Sequence, residues 1–385
     1  MCLTVPHHHP PLDHPLRYQQ EALLRRTSVW LTLLVASMAT LGLSGCANLD
    51  YYWQSVTGHV AVMNAAKPVQ EWLDDTATSD TTKRRLQLSQ RIRDFASREL
   101  LLPDNASYRR YADLKRRAAV WNVVAAPEFS LTLHTWCFPV VGCVGYRGYY
   151  NEADARTEAD VKKVEGLEVD VYGVPAYSTL GYLNWAGGDP LLSTFINYPE
   201  GELARLIFHE LSHQVLYVKD DTMFNESFAT AVERLGGAQW LAQFGSEAAR
   251  AEYAQFDKRR IQFRALTLET RKNLQANYAT AQQSNARAAI KIEAMKAFRQ
   301  DYDKLKLQWG GYAGYDPWVA KANNASFGAL AAYDELVPQF DALFAQQTGT
   351  SQERWRKFFA ACQTLADMPR KERREALASG NIPSR

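Results

Sequence analysis

No block of one charge sign runs along this 385-residue chain, in which 44 Lys and Arg are interspersed with 42 Asp and Glu for a net charge of +2. Nucleic acid needs a basic stripe or patch, so that class of partner is set aside at the outset. Long hydrophobic runs are scarce too. The one apolar run, Val29 to Leu43, is short of the roughly 20 residues that a spanning helix needs. Proline and glycine are missing from Ser246 to Gln308, which removes the usual breakers of helix from that stretch. Histidine is rare beyond the N-terminus: after Cys46 only His59, His134, His209 and His213 occur. What is present in quantity, 46% hydrophobic and 22% charged residues, is the composition of a globular protein with a sizeable core. Aromatic residues, at 12%, suit a peptide- or sugar-contacting groove and a well-packed core equally.

Arg25 and Arg26 precede the apolar run, and Leu43-Ser44-Gly45-Cys46 follows it. A positive flank, a short apolar core and small residues before a cut site describe a secretory signal. Leu-Ser-Gly-Cys also resembles the bacterial lipobox, which implies a diacylated Cys46 as the mature N-terminus and, with Ala47 rather than Asp behind it, the outer membrane facing the periplasm. A single uncleaved anchor helix is the competing reading, and both place the rest of the chain outside the cytoplasm. The first 24 residues, with His7, His8, His9 and His14, are either a metal-binding tail or upstream of the true start.

Once Cys46 is lipidated and Cys2 is removed with the leader, three of the five cysteines remain. Cys137 and Cys143 flank Pro139 and Gly142, and an exported chain meets an oxidising compartment, so a disulfide is expected there. A metal site would need further ligands, and only His134 is near. Cys362 is left as a buried thiol.

The pattern divides the chain into a leader (1–45), an N-terminal helical segment (46–117), a region of strands and the chemical motif (118–245), a helical hairpin arm (246–309) and a C-terminal helical region (310–385). Helices are expected from Tyr51 to Leu73 with a break at Pro68, Lys83 to Leu101, Glu152 to Gly166, Glu200 to Val218, Glu226 to Phe244, Asn324 to Ala345 and Glu353 to Ala366. Strands are expected at Ala118 to Ala125, Val140 to Tyr146 and Leu167 to Val174, the last two joined by a helix, with Tyr177 to Leu183 extending the sheet. The 246–309 stretch, alternating in charge sign, is expected to turn near Ala279 to Asn285 and offers a surface for protein contact.

His209-Glu210-Leu211-Ser212-His213 is an HExxH sequence inside an expected helix. Side chains four apart share a face, so both imidazoles reach one cation while Glu210 stands beside it as a general base. Chance matches are expected at on the order of 0.01 per chain of this length. Catalytic zinc keeps three protein ligands and one open position. Glu226, behind the expected N-cap Asn225, can return over His213 as the third ligand; Asp220 and Asp221 are its rivals. Glu233, two turns further on, is placed to hydrogen-bond a ligating imidazole or to be a surface charge.

HExxH followed by Asn225-Glu226-x-Phe228-Ala229-x-x-x-Glu233 resembles the gluzincin metallopeptidases of the alanyl-aminopeptidase type, with Ser227 in place of glycine and a shorter spacer. The fit is closer to a family of bacterial zinc aminopeptidases with lipoprotein leaders, sharing Trp136-Cys137-Phe138-Pro139, Gly142-Cys143-Val144-x-Tyr146-Arg147-Gly148-Tyr149, Pro175-Ala176-Tyr177-Ser178-Thr179-Leu180-Gly181 and Asn323-Asn324-Ala325. The resemblance implies an α+β, mostly helical fold with a zincin-like core, a small mixed sheet packed on the HExxH helix, and one Zn2+ per chain acting on a peptide substrate. It also implies a Tyr or His that stabilises the oxyanion; Tyr312, Tyr315 and Tyr333 are candidates and Tyr333, on the Asn324 helix, is preferred. Tyr177, Ser178 and Thr179 stand where an edge strand would bind the substrate backbone, and Arg147 is set either for a substrate carboxylate or for an ion pair. No GxMEN-like element is found to grip a free amine. Aminopeptidase, endopeptidase or cell-wall peptide hydrolase, and non-catalytic zinc-fold scaffold are therefore the three functional readings.

Overall fold

The structure, a computed structural model, describes residues 49–138, 142–181, 184–280 and 283–382. The leader, Cys46 and residues 139–141 and 182–183 lie outside them. The chain divides into two compact units, Met1–Thr57 and Gly58–Arg385. In the first, residues 49–57 are helical.

The second unit is α+β and mostly helical. Residues 58–65 are helical, then β1 (Lys67–Pro68) interrupts the helical pattern where proline lacks an amide donor, and α1 (Val69–Asp74) follows. Helix α2 (Asp80–Arg98) starts at Ser79, whose side chain accepts from Thr82 N, and buries Leu88, Ile92, Phe95 and Ala96. β2 (Arg110–Ala112) pairs antiparallel with β1 and parallel with β8 (Leu191–Leu192) in a small mixed sheet.

A second sheet has the order β6-β3-β7, from β3 (Val120–Pro127), β6 (Arg147–Tyr149) and β7 (Leu167–Val174), with both outer strands antiparallel to β3. β6 and β7 are joined by α3 (Glu152–Val164), so the expected strand-helix-strand unit forms, but its first strand is Arg147–Tyr149 and not Val140 to Tyr146, of which residues 142–144 lie in a separate ribbon. Gly166, at φ +83, makes the left-handed turn between α3 and β7 that glycine adopts most easily. Val124 and Ala126 face α9 (Asn324–Asp334) through Ala325. Alternation sends Val123 and Ala125 to the other face, and α3 packs on β3 and β7. β4 (Trp136–Phe138) and β5 (Gly142–Val144) form a two-stranded ribbon closed by the Cys137–Cys143 disulfide. Residues 175–181 do not extend the sheet. Pro175 has no amide proton, Leu180 and Gly181 take positive φ, and Thr179 N donates to the Asp189 carboxylate instead of a strand.

Helix α4 (Glu200–Ser212) follows Pro199 and carries Glu200 and Glu202 in its first turn, where acid complements the helix dipole. It ends six residues before the expected Val218, because residues 214–216 close tight turns onto Leu211 and Ser212. Helix α5 (Thr222–Phe244) runs antiparallel to α4, Glu226 meeting His213, Gly237 meeting Arg205 and Trp240 meeting Glu200. Its N-cap is Asp221, which accepts from Phe224 N, and not Asn225 as its sequence suggests.

α6 (Glu247–Thr280) and α7 (Ser284–Gln308) pack together as the hairpin. Its inner face is buried: Phe263, Leu274, Tyr278 and Phe298 form one cluster with Leu131, Trp309 and Phe327. α8 (Asp316–Lys321) leads to α9. The helix expected from Asn324 to Ala345 breaks after α9 and resumes as α10 (Val337–Ala345), with Pro338 in the first turn of the second piece. α11 (Ser351–Ala366) buries Cys362, and α12 (Arg370–Ser379), not expected from sequence, closes the chain. Among the described residues no helix is long and apolar enough to cross a membrane.

Candidate metal centre

Helix α4 is amphipathic in an unusual way. Leu203, Ala204, Ile207, Phe208 and Leu211 are buried against the core, and the histidines of HExxH lie beside this stripe, in the last turn and at the C-cap. His213 is still in the right-handed helical region (φ −61, ψ −19), so it keeps its place one turn beyond His209. The two rings stand edge to face, with centroids 4.9 Å apart.

The antiparallel return of α5 brings Glu226 over both. Glu226 Oε2 is 3.4 Å from His209 Nε2 and 3.7 Å from His213 Nε2, and one donor atom from each of the three residues fits within 4.8 Å. Ligands held about 2.0–2.1 Å from a tetrahedral zinc ion lie about 3.3 Å from one another. The donor set, two imidazoles and a carboxylate converging on one point, fits a metal ion. His213 Nδ1 is buried with no hydrogen-bond partner among the described residues.

Charge distribution supports the same assignment. Burial pushes His213 down to about 4, which keeps a lone pair available. Burial also opposes charge on His209, yet the Glu226 and Glu233 carboxylates hold its pKa well above the ordinary value. Positive charge is therefore favoured at this ring, whose Nε2 faces Glu226 and whose Nδ1 faces Glu233. Burial opposes ionisation of Glu226 too, but the two imidazoles keep its pKa low.

Glu233 lies behind His209. Its Oε2 is 3.1 Å from His209 Nδ1, and its other oxygen pairs with Arg205. Burial works against this carboxylate, but Arg205 and His209 bring it down to about 2. Arg205 sits one turn before His209 on α4, is itself buried, and reaches Asp257 and the Tyr253 hydroxyl of α6, each at 3.4 Å. The chain His209–Glu233–Arg205–Asp257 thus runs from the metal site into the hairpin. Sequence reading missed Arg205 and Asp257, and the available signal was an arginine four residues before His209 within an otherwise apolar stripe.

Close approach of α4 and α5 depends on Gly236 and Gly237. A Cβ at Gly237 would lie 2.8 Å from Arg205 Cγ, and one at Gly236 would lie 2.6 Å from Leu100 Cδ1 and 3.0 Å from Phe208 Cδ2. Asn225, displaced from the cap, clamps the turn between the two helices: its Oδ1 accepts from Val218 N and its Nδ2 donates to Val218 O, both at 2.8 Å. The rival ligands are occupied elsewhere. Asp221 is buried, pairing with Arg373 and Arg374 of α12. Asp220 accepts from Cys143 N, which ties the disulfide ribbon to the loop between the metal helices.

Glu210 faces the same region, and burial pushes its carboxyl up to about 7. Of the three tyrosines, only Tyr333 joins it. Its ring is stacked on His209 at 6.2 Å, and the Glu226 charge is the first cause of its strongly raised pKa. Tyr315 is stacked on Phe263 and Tyr312 lies against Arg259, in the hairpin cluster. The Asn324 helix is pinned by Asn323 Nδ2 to Val169 O and by Asn324 Nδ2 to Glu128 O, so Tyr333 is set by the sheet. Ser227 Oγ accepts from Leu336 N, just past α9. Tyr146, missed as a site residue, packs with Tyr172 on Ala325 and Ala329, one turn from Tyr333, and feels the Glu226 and Glu210 charges.

The Tyr177–Thr179 segment runs beside α4. Ser178 Oγ is 3.5 Å from Glu210 O, and Thr179 N donates to Asp189, while Tyr177 is bonded to His59 Nδ1 at 3.0 Å. Arg147 meets a carboxylate of its own chain, Glu158, at 3.3 Å.

Residues 50–377 match the family model described as "Putative aminopeptidase". The chain belongs to this family. No curated protein and no solved structure matches it. The match to the aminopeptidase family takes in every residue of the candidate metal group as well as the hairpin and most of α12.

Proposed function

We propose that this chain is a zinc-dependent peptidase of the aminopeptidase type, exported and held at the outer membrane through an acylated Cys46. The convergence of His209, His213 and Glu226 around one point, with Glu210 on the same helix as the histidines, carries the reading. When bound, Zn2+ would act as a Lewis acid toward the scissile carbonyl and toward water. Glu233, 3.1 Å from His209 Nδ1, would orient this ring so that Nε2 is the nitrogen offered to the metal. Glu210 takes a proton from the attacking water and passes it to the departing amine, a role that a carboxylate with a pKa near neutrality performs in both directions. Tyr333, kept protonated by the Glu226 charge and by burial, donates its O–H to the oxygen that gains charge. The Ser178–Thr179 segment, running beside Glu210, positions the peptide backbone.

Hydrolysis of short peptides with free N-termini, set against their N-acetylated counterparts, tests this. Cleavage that chelation abolishes, Zn2+ restores and acetylation suppresses is expected. Equal cleavage of both sets would make the chain an endopeptidase, and no cleavage by the zinc-loaded protein would leave a scaffold.

A further inference from the structure

We propose that residues 49–57 form a membrane-docking helix whose Leu49, Trp53 and Val56 insert into the surface of an uncharged lipid bilayer. The three residues are spaced i, i+4, i+7, so they line one helical face. Their exposures are 68%, 70% and 59%. Trp185 is more exposed still, at 85%, so one open indole decides nothing; it is the contiguity of Leu49, Trp53 and Val56 on one helical face that marks a surface with an occupant to come.

The sequence before the helix says what that occupant is. Leu49 follows by three residues the cysteine placed for diacylation, and three residues span at most about 10 Å of extended chain. A helix starting there begins at headgroup level once the acyl chains are inserted. Neither Lys nor Arg occurs from Ala47 to Ala66. Attraction to anionic headgroups is therefore absent, and Leu, Trp and Val supply the partition, with Trp53 at the interface that indoles prefer. Such a contact holds the unit by a second attachment next to the first. The placement rests on acylation of Cys46, whereas the insertion itself does not.

The test uses the chain from residue 47 onward, which lacks the acylated cysteine and the apolar run but keeps every core residue from Val62 to Leu377. The probe is neutral phosphatidylcholine vesicles. The wild-type chain is expected to co-sediment with them in low and high salt alike. Combining Leu49→Ser, Trp53→Ser and Val56→Ser should lower the partition coefficient by about tenfold or more. Brominated acyl chains should quench part of the tryptophan emission, and Trp53→Phe should remove that part, a readout independent of how the triple variant folds. A wild-type chain that stays in the supernatant, or a triple variant that binds as well as wild type, would overturn the proposal. So would a dimer in sedimentation velocity that the triple variant dissolves, since the stripe would then belong to a second copy. Acyl labelling of the full-length protein reports on Cys46 separately.

Discussion

Glu210 and Glu233 are both half-buried glutamates beside His209, yet their surroundings push them apart: desolvation raises one to about 7, and Arg205 brings the other to about 2. Different losses are expected on substitution. Glu210→Gln should leave metal binding intact and lower kcat by about 10²–10⁴-fold, the usual reach of general acid–base catalysis, as read by steady-state kinetics beside metal analysis. Glu233→Gln should instead weaken metal affinity by about 10–100-fold, measured by competition with a chelator, because it frees the His209 ring. Asp189 gives a pH signature away from the ligands. It is buried with no ion-pair partner among the described residues, and burial pushes it up to about 6 from 3.8. The folded state thus binds its proton more tightly than the unfolded state, so the protonated form stabilises the fold at low pH. That contribution is lost as pH rises from near 4 through 6 and is absent above. The change is about 3 kcal/mol. Denaturant unfolding across this range should show that slope, and Asp189→Asn should flatten it.

At the scale of elements, the α4–α5 pair controls whether the site exists at all. Two glycines in the middle of α5 each cost about 0.5–1 kcal/mol of helix stability, and the structure places them where α4 comes closest. Gly237→Ala should destabilise the fold by about 1–3 kcal/mol, since Arg205 is fixed at its far end by Glu233 and Asp257 and has little room to retreat. The same variant should lose zinc affinity, whereas an alanine on an exposed turn of α5 should do neither. The grouping of His209, His213 and Glu226 was legible in the sequence because an i, i+4 pair and a short return between two helices are local features. The cap of α5 was not, because Asn225 and Asp221 are both good capping residues and only the Val218 backbone and the α12 arginines decide between them. Tyr177 to Leu183 read as strand for a similar reason: the capture of Thr179 by Asp189 depends on a loop that the local pattern does not reveal.

Across the whole molecule, the absence of proline and glycine gave the hairpin its two helices, but where it docks depends on contacts distant in sequence. Tyr278 OH meets Asn324 Oδ1 at 3.3 Å, and Lys291 pairs with Glu168 across 123 residues. Through Asp257 and Tyr253 the hairpin reaches Arg205, and through Asn324 it braces the helix that carries Tyr333. The hairpin, the sheet and α12 therefore all bear on one site, whose proposed chemistry requires a metal ion. The most direct measurement is the zinc content of the purified chain beside its Glu226→Ala variant, both checked for folding by circular dichroism. One zinc per wild-type chain, largely lost from the folded variant, is the predicted result. A folded wild-type chain that takes up no zinc, or a variant that retains it in full, would contradict the three-ligand site.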